Sequence, residues 1–90
     1  MIKLVHVEYQ QEYNISCVFS DGMSGVYDLK QLLLTHNTPL TEPLREINSF
    51  RNFFLVSGAL CWKNGLELDP QSIYRELQQE GKLFSLSNAA

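Results

Sequence analysis

The segment from Phe53 to Pro70, FFLVSGALCWKNGLELDP, constrains the fold of this chain more than any other. Two glycine-containing pairs, Ser57-Gly58 and Asn64-Gly65, interrupt its apolar runs. Such pairs are typical of tight chain reversals, because glycine adopts positive φ without steric cost. Asp69-Pro70 at the end is typical of a helix start. The segment therefore predicts a strand, a turn, a second strand ending at Trp62, another turn and then a helix.

Three further segments near the N-terminus are predicted to be strands, namely Ile2 to Tyr9, Tyr13 to Phe19 and Gly25 to Leu29. The second alternates most clearly, with Tyr13, Ile15, Cys17 and Phe19 on one face and Asn14, Ser16 and Ser20 on the other. Val18 alone interrupts that alternation. Short polar turns separate these runs, so the sequence predicts an antiparallel three-stranded meander. A meander of this size needs a cover on one face, which later helices must provide.

Helical spacing appears in three places. Asp28 is predicted to cap a short helix through Leu29, Leu32 and Leu33 that ends near His36-Asn37, and one or two helical turns are expected between Pro43 and Asn52. A last helix is predicted from Pro70 to about Glu80. Together these elements predict an α+β fold with a meander, short middle helices, a β-hairpin and a C-terminal helix packed on the sheet. Residues 1–81 would form one domain, and the tail 82–90 would dock on the body or on a partner, or fray.

Charge and hydropathy exclude several classes of protein. The 90 residues carry a net charge of -3, and their seven Lys and Arg residues are scattered, which disfavours direct nucleic-acid binding. The longest apolar runs are far shorter than the roughly 20 residues that cross a bilayer. The N-terminal segment alternates like a strand and lacks a signal-peptide cleavage site. We therefore expect a cytoplasmic protein without a membrane span.

The sequence shows no catalytic, cofactor-binding or metal-binding pattern, and we expect no enzyme activity. His6 and His36 lack metal-ligand spacing, and the isolated glycines form no phosphate-binding loop. The candidate carboxylates already have structural explanations in turns and helix starts; they are Asp21, Asp28 and Asp69. Cys17 and Cys61 lie in predicted strands among apolar neighbours, where a reduced, buried thiol is expected.

A partner surface is the remaining candidate site. Its candidate residues are Tyr27, Trp62, Leu83, Phe84 and Leu86. For Trp62 a place in the core under the last helix is the favoured interpretation, because aromatic residues dominate core burial in small domains. The apolar tail is the better candidate for an interface. A third alternative is an exposed sheet edge that pairs with another chain by strand addition.

Several motifs resemble a known small bacterial family. They are FSDG at Phe19 to Gly22, EPLR at Glu42 to Arg45, and W-x-N-G-x-E-L-D-P-x-x-I-Y at Trp62 to Tyr74. In these motifs the chain is similar to the family labelled "domain of unknown function 2442" over residues 2–77. Lys63 stands where Pro often follows the Trp, and Glu67 stands where Asp is common. The resemblance implies the same α+β fold and supplies no catalytic residues.

The resemblance also implies a binding partner. Members of the family are often encoded beside another small protein, in arrangements that resemble toxin–antitoxin pairs, and some are fused to a helix-turn-helix segment. The first hypothesis is therefore a non-enzymatic interaction module, the antitoxin-like or regulatory half of a two-protein system, whose partner is a small neighbouring-gene product. Alternatives are a component of a nucleic-acid-associated transcriptional regulator and a small enzyme with a cryptic site. A homodimer is compatible with all three.

Overall fold

The computed structural model describes residues 1–86. The strands are β1 (Leu4–Tyr9), β2 (Asn14–Phe19), β3 (Met23–Asp28), β4 (Phe54–Val56), β5 (Ala59–Cys61), β6 (Glu67–Leu68) and β7 (Phe84–Ser85). The helices are α1 (Lys30–Thr35), α2 (Ile47–Phe50) and α3 (Pro70–Gln79), and a 3₁₀ turn spans Glu42–Arg45. The predicted α+β class is confirmed.

The first sheet is the predicted meander. β1 pairs antiparallel with β2, which pairs antiparallel with β3, so that Val7 lies opposite Cys17 and Cys17 opposite Gly25. The alternation expected for β2 is confirmed, because Ile15, Cys17 and Phe19 are buried while the intervening side chains are partly exposed. These buried side chains define the inner face of the sheet.

The sheet has a fourth strand that the sequence did not predict. β7 pairs antiparallel with β3, with Ser24 opposite Phe84, and the Leu86 N–H donates to the Gly22 carbonyl oxygen at 3.1 Å. A two-residue strand is too short to show a period, so no alternation could reveal it. Residues 87–90 of the predicted tail lie outside the described residues.

A second sheet contains the hairpin on which the sequence prediction centred. β4 and β5 pair across Ser57 and Gly58, whose φ angles of 50° and 83° are both positive. β6 adds to β5, with Cys61 opposite Glu67, and this strand was also missed because it spans two residues. The Leu4 N–H donates to the Gly58 carbonyl oxygen at 3.0 Å, which ties the hairpin turn to β1 of the first sheet.

Aspartate carboxylates lie at the starts of two of the helices. The Asp69 side chain accepts from the Gln71 N–H at the start of α3, and Gly81 beyond its end has a positive φ of 69°. At α1 the cap position is Leu29, one residue later than predicted, yet the Asp28 carboxylate still accepts from the Lys30 N–H at 2.9 Å. The helical turns expected between Pro43 and Asn52 are confirmed.

One hydrophobic core joins both sheets and the helices. Its members come from the inner face, from β5 and from α1, α2 and α3; they include Ile15, Phe19, Leu33, Phe50, Leu60, Ile73 and Leu77. Trp62 is also a buried member of this core, and its indole Nε1–H donates to the Phe50 carbonyl oxygen at 2.8 Å. α3 contacts β3 through this core, which confirms that the C-terminal helix packs on the sheet.

Candidate interaction surface

The side of the four-stranded sheet opposite the core is solvent-facing, and we call it the outer face. Side chains directly opposite each other on neighbouring antiparallel strands project to the same side of a sheet. By this register the outer face comprises His6, Glu8, Ser16, Val18, Ser24, Val26 and Phe84. None of these seven side chains is buried. Val26 is 46% exposed and Phe84 is 62% exposed, so the face presents apolar groups to water.

A shallow apolar groove of about 350 Å³ crosses this face. Val18 and Val26 line it together with Ser16 and Ser24, and the tail residues Phe84 and Leu86 line it from the side of β7. Leu86 is 48% exposed. The groove therefore depends on the tail, because Phe84 of β7 and Leu86 just after it supply the aromatic and aliphatic side chains next to β3.

The tail reaches the sheet through a close contact at Gly25. A Cβ atom built on Gly25 would lie 2.4 Å from the Lys82 carbonyl oxygen, a separation that real side chains do not show. The Lys82 N–H donates to the Leu77 carbonyl oxygen at 2.8 Å, which directs the chain away from α3. Glycine at position 25 thus lets the backbone pass from the helix to the edge of β3.

The structure divides the predicted partner-surface residues into two groups. Phe84 and Leu86 are exposed beside the groove, and Leu83 is partly buried against the core. Tyr27 and Trp62 are only 6% and 3% exposed, so neither presents a surface for a partner, which corrects their inclusion in that set. Trp62 is fixed in the core by edge and tilted contacts with Phe53 and Phe50, at centroid distances of 6.2 and 5.8 Å.

Other outer-face residues were missed by the sequence analysis. Val18 was noted only as an interruption of the β2 alternation, yet that interruption was the available signal, because an apolar residue among polar neighbours marks an apolar spot on the solvent side. Val26 was assigned to its strand without a face. Glu8 and Lys82 drew no attention, because only the folded sheet places Glu8 on the outer face and Lys82 beside the groove.

A second, larger groove of about 560 Å³ lies beside Trp62. Pro43, Leu44 and Phe54 supply much of its apolar wall, and Lys63 and Asn64 of the following turn also line it. Leu44 and Trp62 are themselves core residues, so this groove is the outer limit of the packed aromatic cluster. Phe54 is 42% exposed and projects from the short strand β4.

A polar hollow of about 400 Å³ brings Asp28 and His36 to the same wall, with Tyr27 and Glu76. The Tyr27 hydroxyl donates to the Glu76 carboxylate at 2.8 Å. Burial raises the pKa of Tyr27 well above its usual value, and the bond to Glu76 raises it further. The pair therefore holds a neutral phenol rather than a proton acceptor. The sequence did not predict that Asp28 and His36 line the same hollow, because this depends on how α1 packs relative to β3.

The other two aspartates have the structural roles that the sequence predicts. Asp21 accepts from the Met23 N–H at 3.0 Å in the β2–β3 turn and from the Tyr74 hydroxyl at 2.7 Å. This bond is the main reason that the pKa of Tyr74 is raised. Asp69 caps α3. Within residues 1–86, no group of three or more His, Cys, Asp and Glu side chains could hold a metal ion.

Both cysteines are free and buried. Burial raises the pKa of Cys17 to about 12, so the thiol on the inner face stays protonated at neutral pH. The pKa of Cys61 is also raised, first by burial and then by the neighbouring Glu67. Neither environment favours the reactive thiolate form.

Most of this fold lies within a segment that matches a known protein family. Residues 4–79 match the family described as "Protein of unknown function (DUF2442)". The chain belongs to this family. No curated protein and no solved structure matches the chain significantly. Across the part of the chain that the structure describes, no helix has the length and apolar character to cross a membrane.

The match to the DUF2442 family confirms the resemblance noted for residues 2–77. The two residues noted as departures from the family pattern fit the fold. Lys63 is exposed in a turn, and Glu67 of β6 lies opposite Cys61 of β5. The matched segment includes β1, β2, β3 and α3 but ends before Phe84. The tail strand that completes the outer face thus lies outside the residues matched to DUF2442.

Proposed function

We propose that this chain is a non-enzymatic protein–protein interaction module whose outer face binds a protein. The observation that carries the proposal is the apolar groove on the outer face, where Val26 and Phe84 remain exposed. Exposed apolar groups that adjoin one another on a small domain are typical of contact surfaces. The polar Ser16 and Ser24 within the groove support a surface that stays soluble when unoccupied.

The biological role that we propose is the antitoxin-like or regulatory half of a small two-protein bacterial system. This role rests on the family resemblance, which implies a neighbouring small protein. Direct binding of nucleic acid by the chain is not favoured at two of its arginines. Arg45 donates to the Leu33 carbonyl oxygen at 2.8 Å, and Arg51 lies 4.8 Å from the centre of the Tyr9 ring. Both guanidinium groups are thus engaged within the chain.

Two aspartate substitutions test the proposal. Val26 on the outer face and Leu34 on α1 are 46% and 47% exposed, so Val26→Asp and Leu34→Asp introduce the same charge at equally accessible apolar positions. We expect Val26→Asp to abolish association with protein, measured by sedimentation of the purified chain and by co-purification with the neighbouring-gene product. Leu34→Asp should retain it. Equal behaviour of the two variants, or a wild-type chain that binds no protein, would contradict the proposal.

A small enzyme is the second candidate, and the polar hollow is the observation that favours it. Asp28 and His36 line one solvent-accessible hollow, an arrangement that could serve acid–base chemistry. The Asp28 carboxylate already accepts a backbone hydrogen bond from Lys30. The test is an NMR screen of small polar ligands against the wild type, with His36→Ala as the matched variant. Ligand binding at the hollow that is lost in His36→Ala would support this candidate, and a wild type that binds none of them would remove it.

A further inference from the structure

The outer face is complementary to itself in charge and in side-chain size. One row across the strands contains Glu8, Ser16 and Val26, and Lys82, two residues before Phe84, lines the groove with Val26 at the far edge. The adjacent row contains His6, Val18, Ser24 and Phe84. The first row therefore begins in a carboxylate on one edge and ends in an ammonium group on the other.

A two-fold axis parallel to the strands, between β2 and β3, would make these features meet. Such a rotation lays β1 of one copy over β7 of the other and lays β2 over β3, while each residue keeps its height along the strand. Glu8 then faces Lys82. In the two central strands, Val26 faces Ser16 and Val18 faces Ser24. Each branched apolar side chain meets a small one, which allows the two faces to interdigitate.

We propose that the occupant of the outer face is a second copy of this chain, bound face to face about this axis. The inference rests on the proposed function, because it names the partner of the same surface. The Lys82 side chain is 61% exposed and so is free to turn towards the partner copy; its ammonium nitrogen lies 4.0 Å from the carboxylate of Glu80, whose side chain is 49% exposed. Two Glu8–Lys82 pairs would form in each dimer and would fix its orientation.

The size of the face sets the strength of the association. Three strands about 20 Å long and the two-residue β7, spaced about 4.8 Å apart, offer roughly 300 Å² on each copy. Stable complexes bury about 800 Å² on each partner, so this dimer belongs to the weak, reversible class. We expect a monomer in dilute solution and a dimer at high concentration, with a dissociation constant on the order of 10–100 μM.

Charge reversal tests both the surface and its symmetry. In Glu8→Lys and in Lys82→Glu alone, each dimer would contain two like-charged pairs, and we expect dimerisation to weaken about tenfold or more. An equimolar mixture of the two variants should associate again with nearly wild-type affinity, because both cross-pairs of the mixed dimer are then attractive. A two-fold axis across the strands would face Glu8 with His6 and would give no such rescue.

The measurement is sedimentation velocity over about 1 μM to 1 mM, with circular dichroism to confirm that each variant is folded. Glu80→Gln is the matched control, because it removes the intramolecular partner of Lys82 and leaves the proposed contact intact. It should dimerise like the wild type. Failure of the mixture to associate, or equal weakening by Glu80→Gln, would overturn the proposed dimer.

The self-association inference and the proposed function fail in different ways. A wild type that stays monomeric throughout, yet binds the neighbouring-gene product in a Val26-dependent manner, would end the inference and leave the proposed function standing. A wild type that shows neither self-association nor binding of that product would end both.

Discussion

The two faces of the first sheet are built from the same strands, yet they differ in burial from one residue to the next. Ile15 and Cys17 are fully buried on the inner face, whereas Ser16 between them and Val18 after them are partly exposed on the outer face. The inner face also contacts α3, whose Ile73 and Leu77 are buried. The comparison teaches that core packing and the proposed protein-binding surface lie on opposite sides of one strand, because successive side chains project in opposite directions.

The largest effect that would test this division is expected at Phe19 on the inner face. Phe19 is 1% exposed and meets the Tyr74 ring edge to face at a centroid distance of 5.0 Å. Phe19→Ala should lower the free energy of unfolding by about 3–5 kcal/mol, since it removes buried area and leaves a cavity. Urea denaturation measures this value. A loss below about 1 kcal/mol would show that the inner face is not the stabilising one.

The link between the faces is tested at Gly25, where the tail leaves the core side. A methyl group there would meet the Lys82 backbone at 2.4 Å, so Gly25→Ala must displace the tail or bend β3. We expect a loss of about 1–3 kcal/mol in the free energy of unfolding. Hydrogen exchange should also accelerate at the Leu86 amide, which bonds to Gly22. Ser16→Ala on the outer face is the control and should leave that amide protected.

Alkaline titration probes the inner face without a large change of volume. The folded-state pKa of Cys17 is about 12, above the ordinary value of 9.0. At high pH the thiol of the unfolded chain therefore loses its proton more readily than the thiol of the folded chain. The stabilisation is fully present below about pH 9 and is lost as the pH rises towards about 12. The free energy of unfolding should fall by up to about 1.4 kcal/mol per pH unit in that window.

Cys17→Ala isolates this contribution. Tyr27 and Cys61 also have raised pKa values and add to the alkaline slope of both proteins. The wild type should therefore lose stability more steeply than Cys17→Ala between about pH 9 and pH 10.5, as measured by urea denaturation at each pH. Parallel slopes in the two proteins would mean that the thiol is not held in its protonated form by burial.

Local sequence signals predicted most of the fold but only part of the outer face. Gly58, Asn64-Gly65 and Asp69-Pro70 specify their turns and cap through their own backbone preferences, so the hairpin and α3 could be located from the chain alone. β6 and β7 are two residues long and are held by neighbouring strands rather than by their own composition. Their strand character therefore cannot be read from a local period.

The candidate site shows the same limit. Phe84 and Leu86 were singled out because apolar residues in a tail without a period are conspicuous. Glu8 and Lys82 were not, because they are 74 positions apart in the sequence numbering (82 minus 8) and only the folded sheet places Glu8 on the outer face and Lys82 beside its groove. Trp62 was correctly favoured as a core residue. Trp62 was nevertheless kept among the surface candidates, because the sequence alone does not distinguish an aromatic residue of a core from one of an interface.

The smallest effect is expected at Phe84, and it gives the sharpest comparison because the residue type matches Phe19. Phe84 is 62% exposed and pairs with Ser24 only through a two-residue ladder. Phe84→Ala should change the free energy of unfolding by no more than about 0.5 kcal/mol, while it weakens association through the outer face. Urea denaturation and sedimentation of the same sample measure both quantities. A loss of stability close to that of Phe19→Ala would place Phe84 in the core, and the functional division between the two faces would then be wrong.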